Sequence, residues 1–392
     1  MKVDYCKNSV YLSEENIEVI NYNLNHHFTR VTRLFEEKNI HANVYLTGSL
    51  ARSEPAISII QDEVNLFSDI DFIIAIERDS IHRDWVMGLA SRLNEMYPEY
   101  KNSVIIVSAD NISNFRSCIG NDLLLSLKEP LYERLKIQER SSWIIEREDL
   151  FESIVHQFSG YYLNTSNIEN GKEDLLGKDK NYSYIKMLLE CLRMQLYSEG
   201  VVSKGYNNVH AERQNEVISK IVEPSVVEKL VKAREIFGSY EYPSINMYDF
   251  LKRVLIMPLG IKEVHNVPIE SQIIDRLNQI IHVSSKLLHL YQCGLTSLVL
   301  GIEGKYKTHK VFIDLSIKSM LKINDLNLSS NNDFVQLVES LKLSTLSQTM
   351  VECLLKKIIA SLRCDYLNEL TFKNTGEYGF SDIQNHLNVG PL

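Results

Sequence analysis

Residues 44–54 read Val-Tyr-Leu-Thr-Gly-Ser-Leu-Ala-Arg-Ser-Glu, and residues 68–76 read Ser-Asp-Ile-Asp-Phe-Ile-Ile-Ala-Ile. Each passage holds an apolar run of strand character, and the polar residues sit where the strand begins or ends. Side chains alternate across a strand, so Asp69 and Asp71, two apart at the mouth of the second run, point to one face. Two neighbouring carboxylates repel each other, and a divalent cation between them removes that repulsion. Mg²⁺ typically takes one or two protein carboxylates and keeps its remaining positions for water and phosphate oxygens. The pair therefore reads as a metal seat for Mg²⁺ or Mn²⁺. In the first passage Gly48 follows the strand at once, and its missing side chain lets a phosphate approach the backbone. The hydroxyl of Ser49 comes next.

Taken in this order, with an apolar strand on each side, Thr-Gly-Ser-Leu-Ala-Arg-Ser-Glu and Ser-Asp-Ile-Asp resemble the signature of the DNA polymerase beta-type nucleotidyltransferase superfamily. The Leu-Ala-Arg after Gly-Ser is most similar to the small bacterial branch that includes kanamycin-type antibiotic nucleotidyltransferases and protein-adenylylating antitoxins. The resemblance covers roughly the first third of the chain. It implies transfer of a nucleoside monophosphate from a nucleoside triphosphate to an acceptor hydroxyl, assisted by two metal ions. Asp69 and Asp71 would hold the metals, and Gly48, Ser49 and Arg52 would hold the nucleotide. A third carboxylate is expected on a neighbouring strand, but the strand Val104–Val107 carries none. Asp110, just past its end, reads either as that third ligand or base or as a cap for a helix beginning near Ser113. Glu99 is a poorer substitute. The link from Ser49 to Asp69 is long for the family, and its segment Ser53–Phe67 reads as an insertion over the site or a helix of its own.

Outward from this core, Ser13 with Glu14 and Glu15 signals a helix start. Ile17, Ile20, Leu24, Phe28, Val31 and Phe35 then recur at helical steps. A helix at 83–96 should lead to the strand at 104, giving a small mixed sheet, and further pieces are expected at 113–119 and 123–127. From Trp143 the apolar steps are helical: 150–158, 182–199, 215–237, 248–255, 269–292, 333–341 and 347–370. The β-branched residues around Gly301 and Gly304 predict a hairpin over 295–315. The segment 164–180, poor in apolar residues, marks the best boundary. The expected class is thus α+β: a nucleotidyltransferase domain over 1–142, then a larger, mainly helical region over 143–392, as one unit or two.

Within that second region Lys178, Lys180 and Lys186 approach or enter its first long helix, where related enzymes hold the triphosphate with a basic residue. A solvated, charged helix start reads the same way. Glu190 on that helix is either a general base, as in some antibiotic-modifying relatives, or a surface glutamate. His26, His27 and His41 read as structural, since Mg²⁺ prefers oxygen ligands. The 20 tyrosines are spread along the chain, as amphipathic packing residues are.

Composition narrows the partners. The 392 residues exceed one ordinary core. A net charge of −9 disfavours a nucleic-acid partner, whose phosphates call for a basic footprint. No long apolar run or signal-like start is present, so a cytoplasmic protein without membrane contact is expected. Six scattered cysteines suggest reduced core thiols rather than zinc or disulfides. The helical region would form the other wall of the cleft and choose the acceptor, a small molecule or a protein. The competing reading is a catalytically inactive member of the fold serving as nucleotide sensor or scaffold.

Overall fold

A computed structural model of the chain describes residues 3–112, 129–137, 145–169, 180–201, 205–238, 240–304, 309–326, 358–359 and 362–370. Helix α1 (Glu14–Glu37) begins as its sequence signals: the Ser13 hydroxyl accepts a hydrogen bond from the Asn16 amide. It buries Ile20, Leu24, Phe28, Val31 and Phe35 against a three-stranded sheet. The strands are β1 (Ala42–Thr47), β4 (Ile70–Ile76) and β5 (Asn102–Ser108), in the order β1-β4-β5. β1 runs antiparallel to β4, and β5 runs parallel to it. The crossover between β4 and β5 carries α3 (Arg83–Met87) and α4 (Leu89–Met96), because the single helix expected over 83–96 breaks at Gly88. Alternation gives the sheet two apolar faces. Val44, Leu46, Phe72, Ile74 and Val104 face α1 and α4, while Tyr45, Ile73, Ala75, Ile105 and Val107 face the other way. Past the segment 113–128, where two predicted pieces lie outside the described residues, Tyr132 bridges to Val44 on the free edge of β1.

The long link after the Gly-Ser turn holds no helix over its segment 53–67. One helical turn, α2 (Gly48–Ala51), is followed by a hairpin of β2 (Ile57–Ile60) and β3 (Glu63–Leu66). Its two-residue turn, Gln61-Asp62, holds both residues at positive φ, 51° and 65°. That is the twist hairpins prefer, built without the glycine or asparagine that usually announces it. The hairpin extends into the helical region, where β2 pairs in parallel with β6 (Ile236–Phe237).

The helical region comprises α5 (Arg147–Glu169), α6 (Lys180–Ser198), α7 (Tyr206–Ala211), α8 (Glu216–Ile221), α9 (Pro224–Glu235), α10 (Met247–Leu255), α11 (Ile269–Val283), α12 (Leu287–Glu303) and α13 (His309–Leu326). Two predicted helices are split. Pro224 starts α9 afresh after α8, and the Ser284–Lys286 stretch separates α11 from α12. The predicted hairpin over 295–315 is overturned: α12 and α13 occupy it. Every residue of α12 from Leu290 to Ile302 is buried, polar Gln292, Thr296 and Ser297 included. A helix enclosed on all sides shows no amphipathic stripe, so its β-branched residues misled the reading. The boundary segment is helical to Glu169, and 170–179 lies outside the described residues. So does the predicted helix at 333–341, and of 347–370 only 358–359 and 362–370 are described, as helix. Cys6, Cys191, Cys293 and Cys364 are free thiols, the first three buried. No helix among the described residues is long and apolar enough to cross a membrane.

Candidate active site

The register of the sheet joins the two halves of the signature. β1 ends at Thr47, paired with Asp71, so the chain leaves the sheet at Gly48 beside the second aspartate. Gly48 has φ of +64°, and a β-carbon there would lie 2.6 Å from Asp71 Oδ2. Both the backbone conformation and the close carboxylate require glycine at this position. Asp69 and Asp71 flank buried Ile70 and open onto the same cleft as Ile105. Asp71 Oδ1 accepts a 2.6 Å hydrogen bond from the Ser103 hydroxyl, and Lys101 Nζ lies 3.6 Å from Asp69 Oδ1.

The cleft, a cavity of about 160 Å³, lies between this edge of the sheet and the helical region. Gly48, Ser49, Arg52, Asp69 and Asp71 line one wall. Opposite stand His156 and Gln157 of α5, Tyr182, Lys186, Glu190 and Arg193 of α6, and Arg234 of α9. Two larger cavities, of about 500 and 390 Å³, lie elsewhere in the helical region and contain neither aspartate.

The Leu-Ala-Arg-Ser-Glu passage ties the walls together. Arg52 is 3% exposed; its Nε donates to Glu54 Oε1 at 2.6 Å and its Nη2 lies 3.5 Å from Glu190 Oε1. Glu190 also receives Arg193 Nε at 2.8 Å and the Tyr206 hydroxyl at 2.6 Å. Glu54 accepts the Tyr206 amide at 2.6 Å, while its backbone carbonyl accepts Nη1 of Arg234. The Tyr206 ring lies between the Arg52 and Arg234 guanidiniums, 4.9 and 4.8 Å from its centroid. Burial raises the Glu190 pKa, yet Arg193, Arg52, the Tyr206 hydroxyl and Lys186 together outweigh it and bring the carboxyl down to about 2. A carboxylate so firmly ionised and so fully engaged is a structural counter-ion, not a base. His156 is neutral: burial, then Arg363 and Lys186, lower its pKa to about 3.

The expected site residues thus divide. Gly48, Ser49, Asp69 and Asp71 converge on the cleft. Arg52 reaches it too, but its guanidinium is directed at Glu54 and Glu190, so it positions the walls. Asp110 is not brought in. In the parallel register Ser103 lies beside Asp71 and Ser108 beside Ile76, which puts Asp110 past the opposite end of β5, roughly 20 Å away at about 3.3 Å per residue. Glu99, on the turn before β5, does not line the cleft either. Among the described residues no group of three or more His, Cys, Asp or Glu is placed to hold a metal. Lys180 is the first residue of α6, with its side chain outside the described set; Lys186 lines the cleft about 9 Å further along the helix at 1.5 Å per residue. Glu190, one of whose readings was a surface glutamate, is buried, and its i,i+3 spacing to Arg193 was the readable sign of that pair. Tyr182, Arg234, His156 and Gln157 carried no local signal. His27, in contrast, is structural: its Nε2 is 2.9 Å from Asn102 Oδ1 in an aromatic nest with Phe28, Tyr97 and Tyr100.

No protein-family model, curated protein or solved structure matches the chain.

Proposed function

We propose that the protein is a metal-dependent nucleotidyltransferase that moves a nucleoside monophosphate from a nucleoside triphosphate to an acceptor hydroxyl. The observation that carries this reading is the convergence of Gly48, Ser49, Asp69 and Asp71 on one cleft whose far wall presents Lys186. The donor set fits a hard cation: two carboxylates on one face, partly exposed and all-oxygen. Asp69 and Asp71 would hold Mg²⁺ or Mn²⁺, which supplies charge neutralisation on the phosphates and a lower pKa for the acceptor hydroxyl. The chain's own groups do the rest. The Ser49 hydroxyl donates to a phosphate oxygen, and Gly48 leaves room for it beside Asp71. Lys186 makes no ion pair among the described residues and meets the polyphosphate from the helical side. Ser103 fixes the Asp71 carboxylate by its 2.6 Å hydrogen bond. A space of about 160 Å³ is below the usual 300–1,000 Å³ of ligand pockets, so it takes the polyphosphate end and leaves the nucleoside at the mouth. The acceptor hydroxyl belongs to a small molecule or a protein, chosen by the helical wall.

Incubation with nucleoside triphosphates labelled on the α-phosphate, in cell extract with Mg²⁺ or Mn²⁺, tests the reading. A labelled product that disappears with chelator and with Asp71→Asn supports it, and no product under any of the four nucleotides overturns it. One observation favours a second reading, a nucleotide sensor or scaffold without turnover: Ser103, not an acid, lies beside Asp71 on the neighbouring strand. Metal-dependent nucleotide binding without label transfer would select that reading.

A further inference from the structure

A cavity of about 500 Å³ in the helical region is built from four elements, one near residue 150 and three between residues 258 and 292. The start of α5, the Pro258–Gly260 turn, α11 and the start of α12 surround it. Its floor is apolar, with Phe151, Leu259 and Ile280. Its polar side is cationic: Arg147, Arg276 and Lys286 stand against one carboxylate among the described residues, Glu148, which lies 3.7 Å from His289 Nε2. Arg276 is aimed by its own hydrogen bonds to the Leu259 carbonyl at 2.8 Å and Gln279 at 2.6 Å. Arg147, laid over Gly260, and Lys286 make no ion pair among the described residues.

Two further observations point to a ligand. Gln292 lines the cavity, is 3% exposed and makes no side-chain hydrogen bond among the described residues, so what remains open of its side chain is open to this space. The first turn of α12, 17 residues long, has no side-chain cap, so its amides open beside Lys286. Such an end attracts phosphate, and arginine forks bind it well.

We propose that this cavity is a second small-molecule site, which takes a phosphorylated ligand of mononucleotide size. The phosphate meets Arg147, Arg276 and Lys286, the flat or apolar body rests on Phe151 and Leu259, and Gln292 reads a polar edge of that body. The volume lies within the usual range for such ligands. The site is independent of nucleotidyl transfer, yet it shares α5 with the cleft: Phe151 faces one and His156 the other, about 7.5 Å apart along the axis.

The test is calorimetric titration of the full chain, in chelator, with AMP, ribose 5-phosphate, adenosine and inorganic phosphate. Saturable binding of AMP or ribose 5-phosphate is expected. Arg147→Glu with Lys286→Glu should weaken it at least tenfold, Gln292→Leu should weaken it with thermal stability kept, and Asp71→Asn should leave it unchanged. No saturable binding of either phosphate ester at millimolar concentration overturns the proposal, as does binding untouched by the charge reversals. Loss of binding with Asp71→Asn also overturns it, by assigning the ligand to the cleft. None of these results depends on whether the cleft transfers nucleotides.

Discussion

The two walls of the cleft are made on opposite plans. The sheet wall is local: one tight turn and one strand start place Gly48, Ser49, Asp69 and Asp71 together, and its aspartates are partly exposed. The helical wall is assembled from α5, α6 and α9, and its charges, Lys186 apart, are buried in a network with Glu54 and Glu190. Carboxylates open to the cleft can exchange water for a cation and phosphate oxygens, whereas engaged ones cannot. On the proposed reading the first wall does the chemistry and the second supplies rigidity, and five substitutions can break or sharpen that contrast.

The largest effect should come from Glu190→Ala. It leaves Arg52 and Arg193 buried without their shared carboxylate, and breaking such a pair costs about 3–5 kcal/mol. Urea unfolding would read this as a loss of stability, with the loss much reduced in Glu190→Gln, which keeps the Tyr206 hydrogen bond. A stable Glu190→Ala protein with altered turnover would instead place Glu190 in the chemistry and erase the contrast between the walls.

Asp71→Asn comes next, and it acts on rate rather than stability. Removing one ligand charge without changing shape should lower transfer by at least about a hundredfold, or ~2.7 kcal/mol, with circular dichroism unchanged. Normal turnover would deny the aspartates their role.

These two effects differ in how readily sequence could foresee them. The sheet wall was legible because a strand's period of two, a glycine and paired acids lie within 30 residues of one another. The hairpin was not, since Gln61-Asp62 adopts positive φ without the usual residues, and β6, two residues long, has no pattern at all. The helical wall depends on residues from 156 to 234 meeting residue 54, and no local period records such an encounter. Buried α12 shows the same limit from the side of packing: once every face is covered, periodicity carries no information.

Lys186→Ala probes a cation of the helical wall that, among the described residues, stands outside the buried network. It should weaken metal-dependent nucleotide binding about tenfold, ~1.4 kcal/mol, measured by calorimetry, with unfolding unchanged. Unaltered nucleotide affinity with an altered acceptor would move Lys186 to the acceptor side.

Acid should loosen the helical wall first. His156 has a folded pKa of about 3 against 6.5 unfolded, so its contribution is complete above pH 6.5 and is lost as pH falls toward 3. Glu190, lowered to about 2, holds its contribution above pH 4.5 and loses it below. Glu235, raised to about 6 by burial, runs the other way: its contribution is present below pH 4.5 and lost as pH rises through 6. Comparing the parent with His156→Gln cancels the other groups. The parent should lose stability relative to the variant by up to about 1.4 kcal/mol per pH unit between pH 6.5 and 4.5. A constant difference would mean that the ring is as easily protonated in the fold as outside it.

The smallest effect tests the sheet wall's electrostatics directly. Lys101 Nζ lies 3.6 Å from Asp69 Oδ1, with both side chains partly exposed, so the pair itself is worth no more than about 1 kcal/mol. Its positive charge also opposes a cation arriving at the same carboxylate. Lys101→Met keeps the aliphatic stem and removes that charge, so unfolding should change by less than about 1 kcal/mol while Mn²⁺ affinity rises several-fold. Both should be visible in one preparation, the first by urea titration and the second by the Mn²⁺ electron paramagnetic resonance signal. If Mn²⁺ affinity falls instead, Lys101 is orienting Asp69 rather than competing for it, and the open carboxylates of the sheet wall are held in place by neighbours as closely as those of the helical wall.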